Sequence, residues 1–161
     1  MYWPKFSKPA LFRKVQKASK PPSGVSCAYL QWTKKVGLKM YTTKTSMKQS
    51  WRGQTRAAKH GLAPRAGEPF TFEVISFERK MTKWGQTDAP VPRQIKLYCF
   101  FTETAHRIGR AVKQSKEEAL EEALEAIGIS HDDLHFHNMG YVKDKLVCID
   151  FDDASCYIRG R

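Results

Sequence analysis

Three histidines and six carboxylates fall within residues 128–155, GISHDDLHFHNMGYVKDKLVCIDFDDAS. A polar loop, HDDLHFHN, is followed by the apolar run Leu146–Ile149, which ends on Asp150. A strand that returns a carboxylate beside an Asp/Asn loop builds an oxygen-lined site. Carboxylate and amide oxygens suit Mg²⁺, a hard cation that prefers oxygen and keeps several waters. A further Asp left off the metal is free to accept a proton from a hydroxyl nucleophile. That division needs an Asp, an Asn five residues later and a second Asp on the following hairpin. Asp133, Asn138 and Asp150 supply it, Asp150 lying 12 residues beyond Asn138.

Two other chemistries compete for the same residues. In a metal hydrolase, His131, Asp132, His135 and His137 would be ligands to a transition ion. Apart from His60 and His106, no second His/Asp set accompanies them. In a non-catalytic binder, the basic half of the chain would grip nucleic acid or an acidic protein surface. Trp3, Trp32 and Trp51, interleaved with Lys and Arg, would then stack on bases.

The elements that position the loop follow from the pattern of the chain. VSCAYLQW and VGLKMYTT are β-rich runs split by a polar TKK and predict a hairpin. TSMKQSWRGQTRAAKH, residues 45–60, predicts a helix capped by Thr45 or Ser46 and stopped by Gly61, with Gly53 weakening it. FTFEVISFER (70–79) alternates as a strand, KMTKWGQTDAPVPR is a loop, and QIKLYCFFTET (94–104) reads as a buried strand. SKEEALEEALEAIG predicts a helix opened by a Ser115/Glu118 capping box, buried through Leu120, Leu124 and Ile127, and ended by Gly128. YV–KDK–LVCIDF is a second hairpin. Segregated helices and antiparallel strands make the fold class α+β.

Charge divides the chain. Residues 1–67 hold 15 Lys and Arg and no acid, whereas all 16 Asp and Glu follow from Glu68 onward. A half so basic attracts polyanions, whether nucleotide phosphates, nucleic acid or an acidic partner. At 161 residues the chain has the length of one domain in two lobes. Cys27, Cys99, Cys148 and Cys156 form no CxxC pair, and three sit in apolar runs, as expected of reduced thiols in a cytoplasmic protein. No run of about 18 apolar residues exists to span a membrane. The basic N-terminus lacks the apolar core of a secretory signal.

HDDLHFHN resembles the kinase catalytic loop H-x-D-L-x-x-x-N, and IDFD stands where kinases carry the metal-binding D-F-G. With His after Leu and an acid closing the second motif, the pair is most similar to the aminoglycoside phosphotransferase and choline kinase branch. The resemblance spans about residues 24–155. It implies a protein-kinase-like fold with an antiparallel-sheet N-lobe, a strongly reduced C-lobe, and ATP and Mg²⁺ as cofactors. The chain divides into a loosely held basic arm (1–23), open to a short helix around Leu11–Lys17, an N-lobe of strands and one helix (24–104) and a truncated C-lobe (105–161). By resemblance, Asp133 accepts the hydroxyl proton or orients the acceptor, and Asn138 and Asp150 hold the metal. His131 supports the loop, and His135 and Asp152 are further supporting residues. VGLKMY places Lys39 as the phosphate-pairing lysine. CFFTET leads into an adenine-binding hinge around Phe101–Thr104, which makes Phe101 and Thr102 nucleotide contacts. PPSGVSCAY occupies the place of the phosphate-covering loop, with Gly24 its only glycine.

The sequence departs from the family in two places. Family members aim the strand lysine with a helix glutamate, but no acid precedes Glu68. Gln49 or Gln54 is left to hydrogen-bond Lys39 without a counter-charge. The chain continues only 11 residues past Asp150, so the acceptor-reading lobe shrinks to the helix 115–127. The acceptor is then expected to be a macromolecule, and a protein the first choice. Such compression suits a phage-encoded protein acting on host machinery in the host cytoplasm. The runner-up is a degenerate kinase-like protein that inhibits or regulates an acidic protein or nucleic-acid partner through its basic lobe.

Overall fold

The computed structural model describes residues 3–17, 27–78, 91–108, 112–152 and 156–160. Gly24 and most of the loop expected between the two long strands lie outside the described residues. The chain is a mixed α+β protein in which every strand pairing is antiparallel.

Four strands form the main sheet: β1 (Ala28–Gln31), β2 (Val36–Tyr41), β3 (Phe70–Glu78) and β4 (Val91–Glu103), in the order β1-β2-β4-β3. The expected hairpin is β1–β2, and both expected long strands are present. Side-chain alternation sends the two faces of β2 to different partners. Val36, Leu38 and Met40 join Leu97, Cys99 and Phe101 of β4 in one apolar cluster. Lys39 and Tyr41 point the other way, so all six residues of β2 are buried. This burial on both faces explains why β2 and the end of β4 read as near-continuous apolar runs.

Helix α1 (Lys8–Lys17) covers the first face. Leu11 is 0% exposed and Val15 3%, one helical turn apart, and both join the cluster of Val36, Leu38 and Phe101. Burying two such side chains stabilises the docked helix by about 1.5–3 kcal/mol each. Residues 8–17 are therefore an anchored layer of the lobe, which corrects the expectation of a loosely held arm.

Helix α2 (Lys44–Lys59) covers the second face, burying Met47, Ser50, Gly53, Gln54 and Ala57. Its cap is Thr43, whose hydroxyl accepts from the Ser46 N–H at 3.3 Å, rather than Thr45 or Ser46, which lie inside the first turn. Gly61 follows with φ +68°, a left-handed conformation suited to glycine. Gly53 is needed for packing: a Cβ there would lie 2.8 Å from Ile158 Cδ1 and 3.1 Å from Phe151 Cδ1. The residue that weakens the helix is the one that lets it approach the second lobe.

That lobe comprises β5 (His106–Arg107), α3 (Gln114–Ala126), β6 (Ile129–His131), a 3₁₀ turn (Phe136–Asn138), β7 (Met139–Val142), β8 (Lys145–Cys148) and β9 (Cys156–Ile158). β5-β7-β8 form one small sheet and β6-β9 another. The β7–β8 hairpin turns through Lys143 and Asp144, both at positive φ (47° and 64°), as the two-residue turn that matches strand twist requires. α3 buries Leu120 and Leu124 against Ala57, Ile129, Met139 and Phe151. Its expected capping box is absent: the helix starts at Gln114 with Lys113 as the cap, so Ser115 falls inside the first turn. Glu118 instead accepts from Gln114 Nε2 at 2.7 Å. No helix among the described residues is long and apolar enough to cross a membrane.

Candidate functional site

Between the two lobes lies a cleft of about 350 Å³. β1 and β2 contribute Cys27, Tyr29, Gln31 and Lys39, while Thr102, Glu103, Thr104 and Ala105 form a side wall. Asn138, Ile149, Asp150 and Asp152 come from the loop and hairpin of the second lobe, with Arg107 and His137 at the rim. Lys39, Thr102, Asn138, Asp150 and Asp152 are thus brought together from distant parts of the chain.

Lys39 is only 9% exposed. Burying an ammonium is costly unless it is hydrogen-bonded. Its Nζ donates to Gln54 Oε1 at 2.9 Å and to the Ile149 carbonyl at 2.8 Å. Gln54, fully buried, donates both protons of Nε2, to the Pro64 carbonyl at 3.0 Å and to Thr102 Oγ1 at 2.7 Å. Of the two glutamines open to this role, Gln54 fills it. Gln49 turns to the Cys156 carbonyl at 3.3 Å. A glutamate at position 54 would lack both donors and set a carboxylate against the Pro64 carbonyl, so the amide suits this pocket better than the acid.

The acidic wall is held by main-chain bonds. His131, 5% exposed, accepts from the Asp133 N–H on Nδ1 at 3.2 Å. That fixes the proton on Nε2, which donates to the Asp150 carbonyl at 2.7 Å. One imidazole thereby ties the loop to the hairpin acid, and both its nitrogens are engaged. Ile149 N–H donates to the Asn138 carbonyl at 2.9 Å, a second tie. His135 accepts from the His137 N–H on Nδ1, which leaves Nε2 to face Asp133 Oδ1 at 3.2 Å.

Asn138 commits its amide nitrogen to the Asp133 carbonyl at 2.7 Å, with Asp133 Oδ2 at 3.4 Å. Its amide oxygen remains for the cleft. Asp150 accepts the Asp152 N–H on Oδ1 at 3.0 Å, which leaves Oδ2. Two oxygen donors on one wall fit Mg²⁺, which is held by one or two protein oxygens plus phosphates and water. Among the described residues no group of three or more His, Cys, Asp and Glu is arranged to hold a metal by itself. His131 spends both ring nitrogens on the Asp133 N–H and the Asp150 carbonyl, and His135 spends Nδ1 on the His137 N–H.

Asp133 sits on the exposed loop behind Asn138 and does not line the cleft itself. Phe101 does not line it either, and its expected nucleotide contact is corrected. Its ring packs in the core against Phe6, Trp32 and Phe70, and its carbonyl accepts the Gly67 N–H at 2.8 Å. Thr102 does line the cleft, with its hydroxyl engaged by Gln54. The three tryptophans offered for base stacking are packed instead. Trp3 lies against Gly67, Trp32 against Phe101 and under Lys14, and Trp51 donates to the Gly67 carbonyl at 2.8 Å.

Tyr29 in the cleft lining and Tyr41, buried beside it, escaped sequence reasoning. Tyr29 pairs across the hairpin with Lys39 and so shares its face. Tyr41, two residues beyond Lys39, places its hydroxyl 2.6 Å from Ser50 Oγ and 3.2 Å from Asp152 Oδ1. Burial holds that phenol well above its usual range, so it keeps its proton beside the carboxylate. Burial likewise raises Cys27, which is part of the cleft lining, and so keeps it in the thiol form. The signal for Tyr29 and Tyr41 was strand alternation around Lys39.

No protein-family model matches the chain, and no curated protein matches it. The local geometry therefore has to carry the functional reading.

Proposed function

We propose that the protein is a Mg²⁺-dependent, kinase-like phosphotransferase that moves the γ-phosphoryl group of ATP to a hydroxyl on a macromolecule, a protein first. The observation that supports this most is the convergence of Lys39, Asn138 and Asp150 on one cleft of about 350 Å³, large enough for a small ligand. Lys39 would meet the nucleotide phosphates with the donor its two protein acceptors leave over. Asn138 Oδ1 and Asp150 Oδ2 would hold Mg²⁺, which supplies charge neutralisation to the phosphates when bound. Asp133, positioned by its bonds to Asn138 and His135, would take the hydroxyl proton as the acceptor oxygen attacks and ADP departs. His131 would position the loop and the hairpin acid without touching the reactants.

The test is transfer of radiolabelled γ-phosphate to proteins of a cell lysate, beside ATP·Mg²⁺ binding by thermal shift. Asp133→Ala is expected to abolish transfer and retain nucleotide affinity; unchanged transfer would refute its role.

A second reading has its own support. Lys39 pairs with a neutral amide, and Asp133 lies outside the cleft lining. Both suit a kinase-like protein that keeps nucleotide or partner binding without turnover, its acid-free half gripping an acidic protein or nucleic acid. Binding that falls steeply with salt, without ATP consumption, would favour it.

A further inference from the structure

Most side-wall groups that could read the edge of a base are already paired, and the main chain around Ala105 is what remains. The Glu103 N–H donates to the Arg65 carbonyl, and the Thr104 N–H to the Lys35 carbonyl, both at 2.9 Å. The Gly67 N–H occupies the Phe101 carbonyl, so segment 65–67 runs alongside β4 where a ligand would otherwise pair. On the opposite edge, Thr102 pairs with Gly37 and Glu103 with Val36 in the ladder to β2. The Thr102 hydroxyl is held by Gln54, the Thr104 hydroxyl accepts from Gln31 Nε2 at 2.8 Å, and the Glu103 carboxylate is bonded to Arg65. Discrimination between bases comes from buried polar groups left unpaired by the wrong one, and groups already paired within the protein exert no such penalty.

What the cleft does offer is a face. Tyr29 lies across from Lys39 on the same side of the hairpin and is 43% exposed. Its ring covers Gly37 so closely that a Cβ there would meet ring carbons at 2.3 Å, and its hydroxyl donates to Gln31 Oε1 at 2.9 Å. The phenol end of the ring is thus seated over the strand, while the side chain stays part-exposed in the cleft lining. Aromatic stacking accepts every base, because each has a π-face.

Building on the phosphotransferase reading, we infer that the cleft holds its nucleoside triphosphate by the phosphates and by one face of the base, with most of the base edge unread. Purine and pyrimidine triphosphates then bind alike, with purines ahead through their larger face.

Calorimetry on the full chain with Mg²⁺ and, in turn, ATP, GTP, CTP and tripolyphosphate tests this. The three nucleotides are expected within about fivefold of one another, and tripolyphosphate roughly 5- to 100-fold weaker than ATP. Tyr29→Leu, which keeps bulk over Gly37, is expected to bring all three nucleotides toward tripolyphosphate and to leave tripolyphosphate unchanged. Tyr29→Phe is expected to match the parent. ATP binding more than about tenfold tighter than both GTP and CTP would overturn the inference and spare the underlying reading. Equal nucleotide affinities that Tyr29→Leu does not alter would overturn the stacking role. Failure of all four ligands to bind would overturn the inference together with the reading it builds on.

Discussion

The two walls of the cleft are held by different physics. The lysine wall is buried, built from a sheet and a helix, and joined through a neutral amide with every nitrogen-bound proton in use. The acid wall is a half-exposed loop and hairpin whose carboxylates rely on backbone ties through His131 and Asn138. Damage to the first wall should therefore register mainly as lost stability, and damage to the second mainly as lost ligand.

Gln54→Leu attacks the first wall hardest. It leaves Lys39 with a single acceptor and strips Thr102 and Pro64 of their donor, a buried-charge defect expected to cost about 3–5 kcal/mol in urea unfolding. Gln54→Glu restores a charge partner but still loses both donors, so it should be less stable than the parent. A gain in stability would mean that the amide cradle is not what holds Lys39. Asp150→Ala attacks the second wall and should reduce Mg²⁺-dependent nucleotide affinity on the order of 100-fold, with little change in the melting temperature. His131→Ala cuts two ties within the second wall, since it unpairs the Asp133 N–H and weakens the hold on the Asp150 carbonyl. Its expected cost is about 1–3 kcal/mol, with looser Mg²⁺ binding in the same titration.

Alkali should act on the buried interior. Burial, followed by Asp150, Asp152 and Asp132, pushes the Cys156 thiol from 9.0 up to about 12, and burial pushes Cys99 and Cys148 up too. The folded state keeps these protons longer than the unfolded chain. Their contribution is therefore complete below pH 9 and is lost as pH rises toward the folded values. Denaturation midpoints measured from pH 8 to 11 should fall, and Cys156→Val should flatten the fall. The smallest effect is reserved for Ser115→Ala, which should change stability by less than about 0.5 kcal/mol because Ser115 makes no cap. A cost near 1 kcal/mol would restore the capping box.

What could be seen in the sequence was local. HDDLHFHN and IDFD are short, their spacing is covalent, and the supporting role of His131 came with the resemblance that those motifs carry. β1 to β4 and the helices at 44–59 and 114–126 were legible from alternation, apolar runs and stop glycines. Legibility failed where register decided the outcome. The pairing of 65–67 with 101–103, which closes the wall beside Phe101, joins β4 to a segment with no apolar signature of its own. β6 and β9 are three residues each and too short to carry a pattern. α1 was legible as a short helix around Leu11–Lys17, but its lysines hid how firmly Leu11 and Val15, one turn apart, dock on the sheet.

Glycine 53 has a consequence for synthesis. A helix carrying that residue, without a single acid to offset its lysines and arginines, has little cohesion of its own. Gln49, Arg52 and Arg56 all reach to carbonyls within residues 156–160, and Gly53 itself seats against Ile158. On the ribosome, α2 would thus lack part of its seat until those residues emerge, and the cradle around Lys39 would not mature before them.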